Sequence, residues 1–359
     1  MRPILPVSTT CVCVLTVLLF LFSSRAARAE ADDPNAIEAL KKLATSMKQD
    51  GNGSVIEVNF RKTTIDNSAL VPLTGLRRLK SVLLNETKID DAGLATLGKI
   101  STLTNLDLRG CKVSNVGMEH LIGLSKLRAL RLNGKSGATT VDDDGMASIG
   151  KLTSLVALPL DFLWVSEEGL AELAGLKNLQ ELYLAGTLAG DEAMETLLQF
   201  PKLKRLRISQ TSVTGAGLAH LTQLKNLVDL DLSENSHLDD AGLTPLTKMQ
   251  QLTKLNLWRV AMSDAGAAHL AGLTNLRWLN LDNTQLSDEG LVHLAGMRQL
   301  TFLHLGSTIV SDKGMPRLAG FKQLKDLKLT RTAVTEASVT SLQQELPNTA
   351  IQLKYIAEQ

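Results

Sequence analysis

The sequence predicts an α/β solenoid of about twelve coils, and three observations carry that prediction. A unit of mostly 24 residues recurs from Val55 to the C-terminus. Inside each unit the apolar spacing switches from alternation, the period of a strand, to steps of three, the period of a helix or 3₁₀ turn. Aromatic residues make up only 3% of the chain, so aliphatic side chains must fill the interior. Self-similarity at a fixed period of this size builds a stack in which each unit touches only its neighbours.

The unit Leu276–Gln299 shows the pattern most clearly, with apolar residues at positions 1, 4, 6, 11, 16, 19 and 22: Leu276, Leu279, Leu281, Leu286, Leu291, Leu294 and Met297. Twelve units begin at Val55, Leu79, Leu103, Leu127, Leu155, Leu179, Leu203, Leu227, Leu252, Leu276, Leu300 and Leu324; they are coils 1 to 12 below. The Leu127 unit runs to 28 residues and the Leu227 unit to 25. An Asp often precedes the helical half (Asp91, Asp191, Asp240, Asp264, Asp288, Asp312), where a carboxylate is expected to accept the free amide protons of the first turn. A Gly usually follows two residues later (Gly93, Gly242, Gly266, Gly290, Gly314), expected to let neighbouring coils approach closely.

The pattern LxxLxLxxTxxxDxGLxxLxxLxx resembles that of leucine-rich repeat proteins, in the subtype with a short convex helix. It is also similar to repeat proteins exported by certain bacteria, whose last coil often ends in a Leu-Pro-Asn segment; Leu346, Pro347 and Asn348 stand there in this chain. The resemblance covers about residues 55–353. It implies a right-handed solenoid with a parallel β-sheet on the concave face and short helices on the convex face. Position 9 departs from the family's usual Asn or Cys. It is mostly Thr (Thr87, Thr187, Thr211, Thr284, Thr308, Thr332), with Cys111 and Asn235 as exceptions, and a ladder of buried Thr hydroxyls is expected there.

Residues 1–29 read as a secretory signal peptide: Arg2, an apolar run from Cys11 to Phe22, and Ala27-Arg28-Ala29 before Glu30. The run is too short to span a bilayer comfortably, so no membrane span is expected after cleavage, with an uncleaved membrane anchor as the alternative, and the exported chain would reside in the periplasm, at the cell surface or outside the cell. Residues 30–54 are expected to form an N-terminal cap, with a helix over 33–48 that starts at Asp33-Pro34 and a Gly-rich link over 49–54. Repeats then occupy 55–348, and a half-coil over 349–359 closes the stack. Cys111 is left without an intramolecular partner once the leader is removed, and is read as a small buried hydrophobe.

Catalytic motifs are absent: no Walker loop, HExxH, GxSxG or paired-cysteine metal motif appears. No cofactor or metal is therefore expected, and the chain is read as a non-enzyme. His120, His220, His269 and His293 share position 18, but two adjacent imidazoles without a carboxylate make a poor metal site. Asp142, Asp143 and Asp144 lack the alternating ligand spacing of a calcium loop and read as a solvated loop plus a helix cap. The net charge of +1, or −2 once Arg2, Arg25 and Arg28 leave with the leader, argues against a nucleic-acid partner.

Strand side chains alternate, so positions 3, 5 and 7 should line the open face of the sheet. Charges of opposite sign neighbour one another there: Arg205 and Arg207 face Asp229 and Asp231, which face Lys254. Trp258 and Trp278 lie on the same face, Phe302 neighbours Trp278, and Lys254 is placed for a cation–π contact with Trp278. With Tyr183, Arg259 and His304 these residues have the composition of an interface hot spot; the alternative is that the rings serve only to pack against each other. Phe162 and Trp164, beside the insertion in the Leu127 unit, form a second candidate. The expected function is a non-catalytic recognition module that binds a protein or peptide across units eight to ten. A structural or self-assembling cell-envelope protein and a glycan-binding module are the alternatives, and the oligomeric state stays open.

Overall fold

The computed structural model describes residues 31–354, so the signal-peptide expectation for residues 1–29 lies outside the described residues. A single sheet runs the length of the molecule. Its strands are β1 (Ser46–Gln49), β2 (Val55–Asn59), β3 (Ser81–Leu83), β4 (Asn105–Asp107), β5 (Ala129–Asn133), β6 (Ala157–Asp161), β7 (Glu181–Tyr183), β8 (Arg205–Arg207), β9 (Asp229–Asp231), β10 (Lys254–Asn256), β11 (Trp278–Asn280), β12 (Phe302–His304), β13 (Asp326–Lys328) and β14 (Ala350–Gln352). They lie side by side in chain order. From β2 onward neighbouring strands are parallel and equal repeat positions pair, as with Lys254↔Trp278 and Trp278↔Phe302. Short α-helical and 3₁₀ segments return the chain from each strand to the next. In coil 10 all seven apolar positions are at most 1% exposed, and coil 3 repeats this with Leu103, Leu106, Leu108, Val113, Met118, Leu121 and Leu124. The predicted solenoid is the observed fold.

Five coils leave their strand through a local bond: an Asn or Asp at position 5 (Asn59, Asp107, Asp231, Asn256, Asn280) accepts the main-chain N–H two residues on, as Asn256 does from Trp258 and Asn280 from Asp282. This local bond bends the strand end. Position 8 then takes the left-handed conformation, at Lys62, Glu86, Phe162, Gln210, Glu234, Arg259, Asn283, Ser307 and Arg331. Such a conformation is uncommon for side-chain-bearing residues. It is held because the position-8 N–H bonds the next coil: Arg259 donates to the Asp282 carbonyl at 3.0 Å and Glu234 to that of Trp258 at 2.8 Å.

Two polar expectations are corrected. The helix starts are capped by the residue before the repeated Asp, such as Ser263, whose side chain accepts from the Ala265 N–H. The Asp instead reaches across to the next coil. Asp264 accepts the Ser287 N–H at 2.8 Å and its hydroxyl at 2.5 Å, and Asp91 does the same with Ser114, Asp143 with Ser166, Asp191 with Thr214, Asp240 with Ser263, Asp288 with Ser311 and Asp312 with Thr335. Where the partner is itself an Asp, the reaching residue is Asn: Asn67 Nδ2 donates to Asp90 and Asn115 Nδ2 to Asp142, both at 2.6 Å. Donor and acceptor are thus matched across each of these junctions. The Gly two residues after the Asp makes room, since a Cβ at Gly290 would lie 2.1 Å from Asp264 Oδ1.

The second correction concerns position 9. The Thr hydroxyls bond the carbonyl three residues back within their own coil, as Thr284 does to Leu281 and Thr308 to Leu305. They do not run as a ladder from coil to coil. Coils are bridged at this position where an exception stands: Asn235 Nδ2 donates to the Ile208 carbonyl at 2.8 Å and its Oδ1 accepts from the Thr211 hydroxyl at 3.2 Å, and Cys111 Sγ donates to the Leu84 carbonyl at 3.2 Å and lies 3.5 Å from the Thr87 hydroxyl. Burial pushes the Cys111 thiol up, as expected of a packing residue.

At the N-terminal end the helix spans Pro34–Leu43, with Asp33 as its cap, and stops short of the expected residue 48. The chain turns back into β1, which pairs antiparallel with β2. The unpaired strand edge explains the difference: β2 needs partners for its outward main-chain groups, and β1 supplies them. Asp32, 8% exposed, ties this cap to the stack by accepting from the N–H groups of Val55 and Arg77.

The matched junctions give a prediction. Asn115→Asp sets a carboxylate against Asp142 and should destabilise the chain by about 1–3 kcal/mol in denaturant unfolding. Asn115→Asp with Asp142→Ser recreates the pairing of the other junctions and should restore most of the loss.

Candidate functional site

Row position 3 carries the strongest cluster. Lys254 Nζ lies 3.4 Å from Asp229 Oδ2 and 5.0 Å from the Trp278 ring centre. Trp278 and Phe302, paired across β11 and β12, stack with centroids 4.9 Å apart and planes within 5°. Both rings are half-buried and stay on the sheet face. The lysine therefore covers one aromatic neighbour while it neutralises an acid, a cation–π arrangement of the kind the sequence predicted. Burial pushes the Asp229 carboxyl up against the pull of Lys254.

Trp258 does not join this cluster. It stands four residues beyond Lys254 along the same coil, roughly 13 Å further at strand rise. Its companion is Arg259, whose guanidinium lies 5.5 Å from the ring centre and 3.2 Å from Glu234 Oε2. The expected hot spot is thus two aromatic–cation pairs at opposite ends of the strands. His304 lies between, its Nδ1 3.1 Å from Asn280 Oδ1 and its ring 6.3 Å from Phe302. Beyond His304 a depression of about 260 Å³ opens toward Lys328 and Arg331. Gly306 lies close against side chains that border it: a Cβ there would come within 3.0 Å of Thr330, Asp282 and His304 side-chain atoms.

Tyr183 belongs to a separate network three strands away. Arg207 lies 4.6 Å from its ring centre and bridges Asp161 at 3.1 Å and Asp231 at 3.4 Å. Burial, reinforced by Glu181, pushes the Tyr183 hydroxyl up to about 12, so the phenol stays neutral. Asp161 is raised by burial, and it also accepts the Ala185 N–H. Sequence reasoning missed Asp161, which pairs two coils away rather than one. It also missed Asp107, fully buried beneath Arg61 and Arg109. Burial raises this carboxyl, but the two guanidinium partners outweigh it and hold it below the usual range. An Asp two residues before an Arg on a strand was the available signal for that pair.

A stack of identical coils with one polar, charge-paired sheet face defines a leucine-rich solenoid scaffold. The chain belongs to the leucine-rich repeat region family, whose model matches residues 64–354. Among solved structures it is similar to an internalin from Listeria monocytogenes, with 21% identity over 91% of this chain and 96% of that one and a TM-score of 0.61. It is also similar to a leucine-rich repeat protein of Leptospira interrogans, with 17% identity, 82% of each chain covered and a TM-score of 0.52. Both likenesses concern the fold. No curated protein sequence matches the chain. Among the described residues no helix is long and apolar enough to cross a membrane, and no group of three or more metal-ligating side chains comes together.

His304 provides a pH test. Burial lowers its pKa, ahead of the opposing pull of Asp282. A base depressed in the folded state favours its neutral form, so its contribution to stability is present above the unfolded value and is lost as pH falls. His304→Gln should flatten the drop in urea midpoint between about pH 7 and pH 5. An unchanged slope would show that His304 is not a source of the acid sensitivity.

Proposed function

We propose that the chain is a non-catalytic recognition module that binds a protein or peptide across the sheet face of coils 8 to 11. One observation carries the reading. The charges around the aromatics are mutually paired, whereas the stacked Trp278 and Phe302 still present apolar surface to solvent. Exposed aromatics rimmed by satisfied polar groups are the composition of a contact centre. Leucine-rich repeat domains are typically protein-binding modules, which supports the same conclusion. Lys254, Trp278 and Phe302 supply the centre, Trp258 and Arg259 a second anchor, and His304 the polar rim; Tyr183 contributes at most to the flank.

Two experiments test this reading. Trp278→Ala with Phe302→Ala should weaken capture of the partner from envelope extracts by about tenfold or more, with thermal unfolding still cooperative. Unchanged capture by a folded variant would overturn the assignment. Residues 1–29 are read as a leader that directs export, and the cap over 30–54, the repeats over 55–348 and the half-coil over 349–359 follow from the repeat spacing. N-terminal sequencing of the exported chain should then begin at Glu30, and a start at Met1 would refute cleavage.

A further inference from the structure

A second surface lies at the edge of the sheet, where coils 4 to 6 turn toward their helices. Phe162 takes the left-handed position 8 of coil 5, and its ring rests on Gly186, where a Cβ would fall 2.5 Å from Cδ1. Two residues on, Trp164 is 76% exposed, more than any other large hydrophobic side chain among the described residues. Leu188, at position 10 of the next coil, is 57% exposed, and its N–H bonds the Val165 carbonyl at 3.0 Å, which fixes it beside the tryptophan's segment. The extra residues of coil 4 form the opposite wall. Thr139 pins that loop by donating to the Cys111 carbonyl at 3.0 Å. Between loop and rings lies a pocket of about 270 Å³ bordered by Gly134, Gly137, Val141, Phe162 and Trp164. Unlike Trp278 and Phe302, these two rings have no ring partner among the described residues.

Asp142 lines the pocket, and the helix that follows Trp164 begins with acidic residues. Three and four residues after Trp164 come Glu167 and Glu168, and they share a second depression with Glu192 and Glu195 of the next coil. Among the described residues none of these four carboxylates is in an ion pair, in contrast to the paired charges of the sheet face. We infer that this edge docks a basic polypeptide segment, with one of its apolar side chains entering the pocket and its lysines or arginines meeting the glutamates. Charge selects that occupant. Unpaired carboxylates repel phosphate backbones and acidic chains; a glycan's hydroxyls can donate hydrogen bonds to them, but only a cationic partner gains charge attraction as well. Lys135 already sits 5.2 Å from the Phe162 ring centre, so the ring face accepts an ammonium, and a partner's cation would compete with it.

The probe is a fluorescein-labelled twelve-residue peptide of alternating Lys and Leu, followed by anisotropy on the full chain. The control peptide has Glu in place of Lys, and a chitin oligomer serves as a neutral competitor. Expected are saturable binding of the basic peptide that weakens with salt, and a loss of about tenfold on Trp164→Ala, whose exposed side chain leaves folding intact. Glu168→Gln with Glu192→Gln should also weaken it, Lys135→Ala should tighten it, and Trp278→Ala with Phe302→Ala should leave it unchanged. Equal binding of the glutamate peptide, full displacement by the chitin oligomer, or no effect of Trp164→Ala would overturn the proposal.

Discussion

At most helix starts, a side-chain oxygen of one coil occupies the place that a Cβ of the next coil would need. Gly290 leaves that space and Asp264 fills it, and the same geometry recurs at Gly117 with Asp91 and at Gly314 with Asp288. This close approach sets the pitch of the stack on its helical side. It lets Leu meet Leu between coils while the polar groups of the clasp pair with one another. The charge of the clasp is handled locally, with Asp facing hydroxyls and Asn facing Asp. Where position 13 is Glu167 or Gly215, the next coil brings Gly190 or Asp239 instead, and no side-chain clasp joins those two junctions.

Register on the sheet follows from that packing. Because equal positions pair from β7 to β14, a single substitution pattern becomes a continuous row of side chains. Alternating charges along such a row neutralise one another, as in Arg205 with Glu181 and Lys254 with Asp229. Adjacent aromatics along it must stack, which is why Trp278 and Phe302 are nearly coplanar. The row also explains why the aromatics divide into two groups. Trp258 sits at position 7 and Trp278 at position 3, so neighbouring strands hold them at opposite ends.

The edge of the sheet obeys different rules. Position 8 is left-handed in nearly every coil, and its side chains stand at the rim where the chain turns away. There Arg259 folds onto Trp258, while Phe162 and Trp164 face the four-residue insertion of coil 4. Paired charge covers the open face and unpaired acid marks the edge, so the two surfaces differ in electrostatic character although the same repeat builds both.

The repeat, the strand positions and the apolar set were all legible in the sequence, because they depend on spacing alone. Side-chain rows could be written down as soon as the register was assumed, and Lys254 over Trp278 followed from them. Contacts that depend on reach were not legible. Nothing in the spacing distinguishes an Asp that caps its own helix from one that bonds the next coil, since both need the same residue at the same place. Thr at position 9 was read as a ladder, yet its hydroxyl satisfies the nearest carbonyl of its own coil. Arg207 spans two coils to Asp161, and residues 46–49 pair as a strand rather than extend a helix. Periodicity fixes which face a side chain occupies; only the packed coils decide which neighbour it touches, because a distance of one or two ångströms across a junction is not encoded in any single unit.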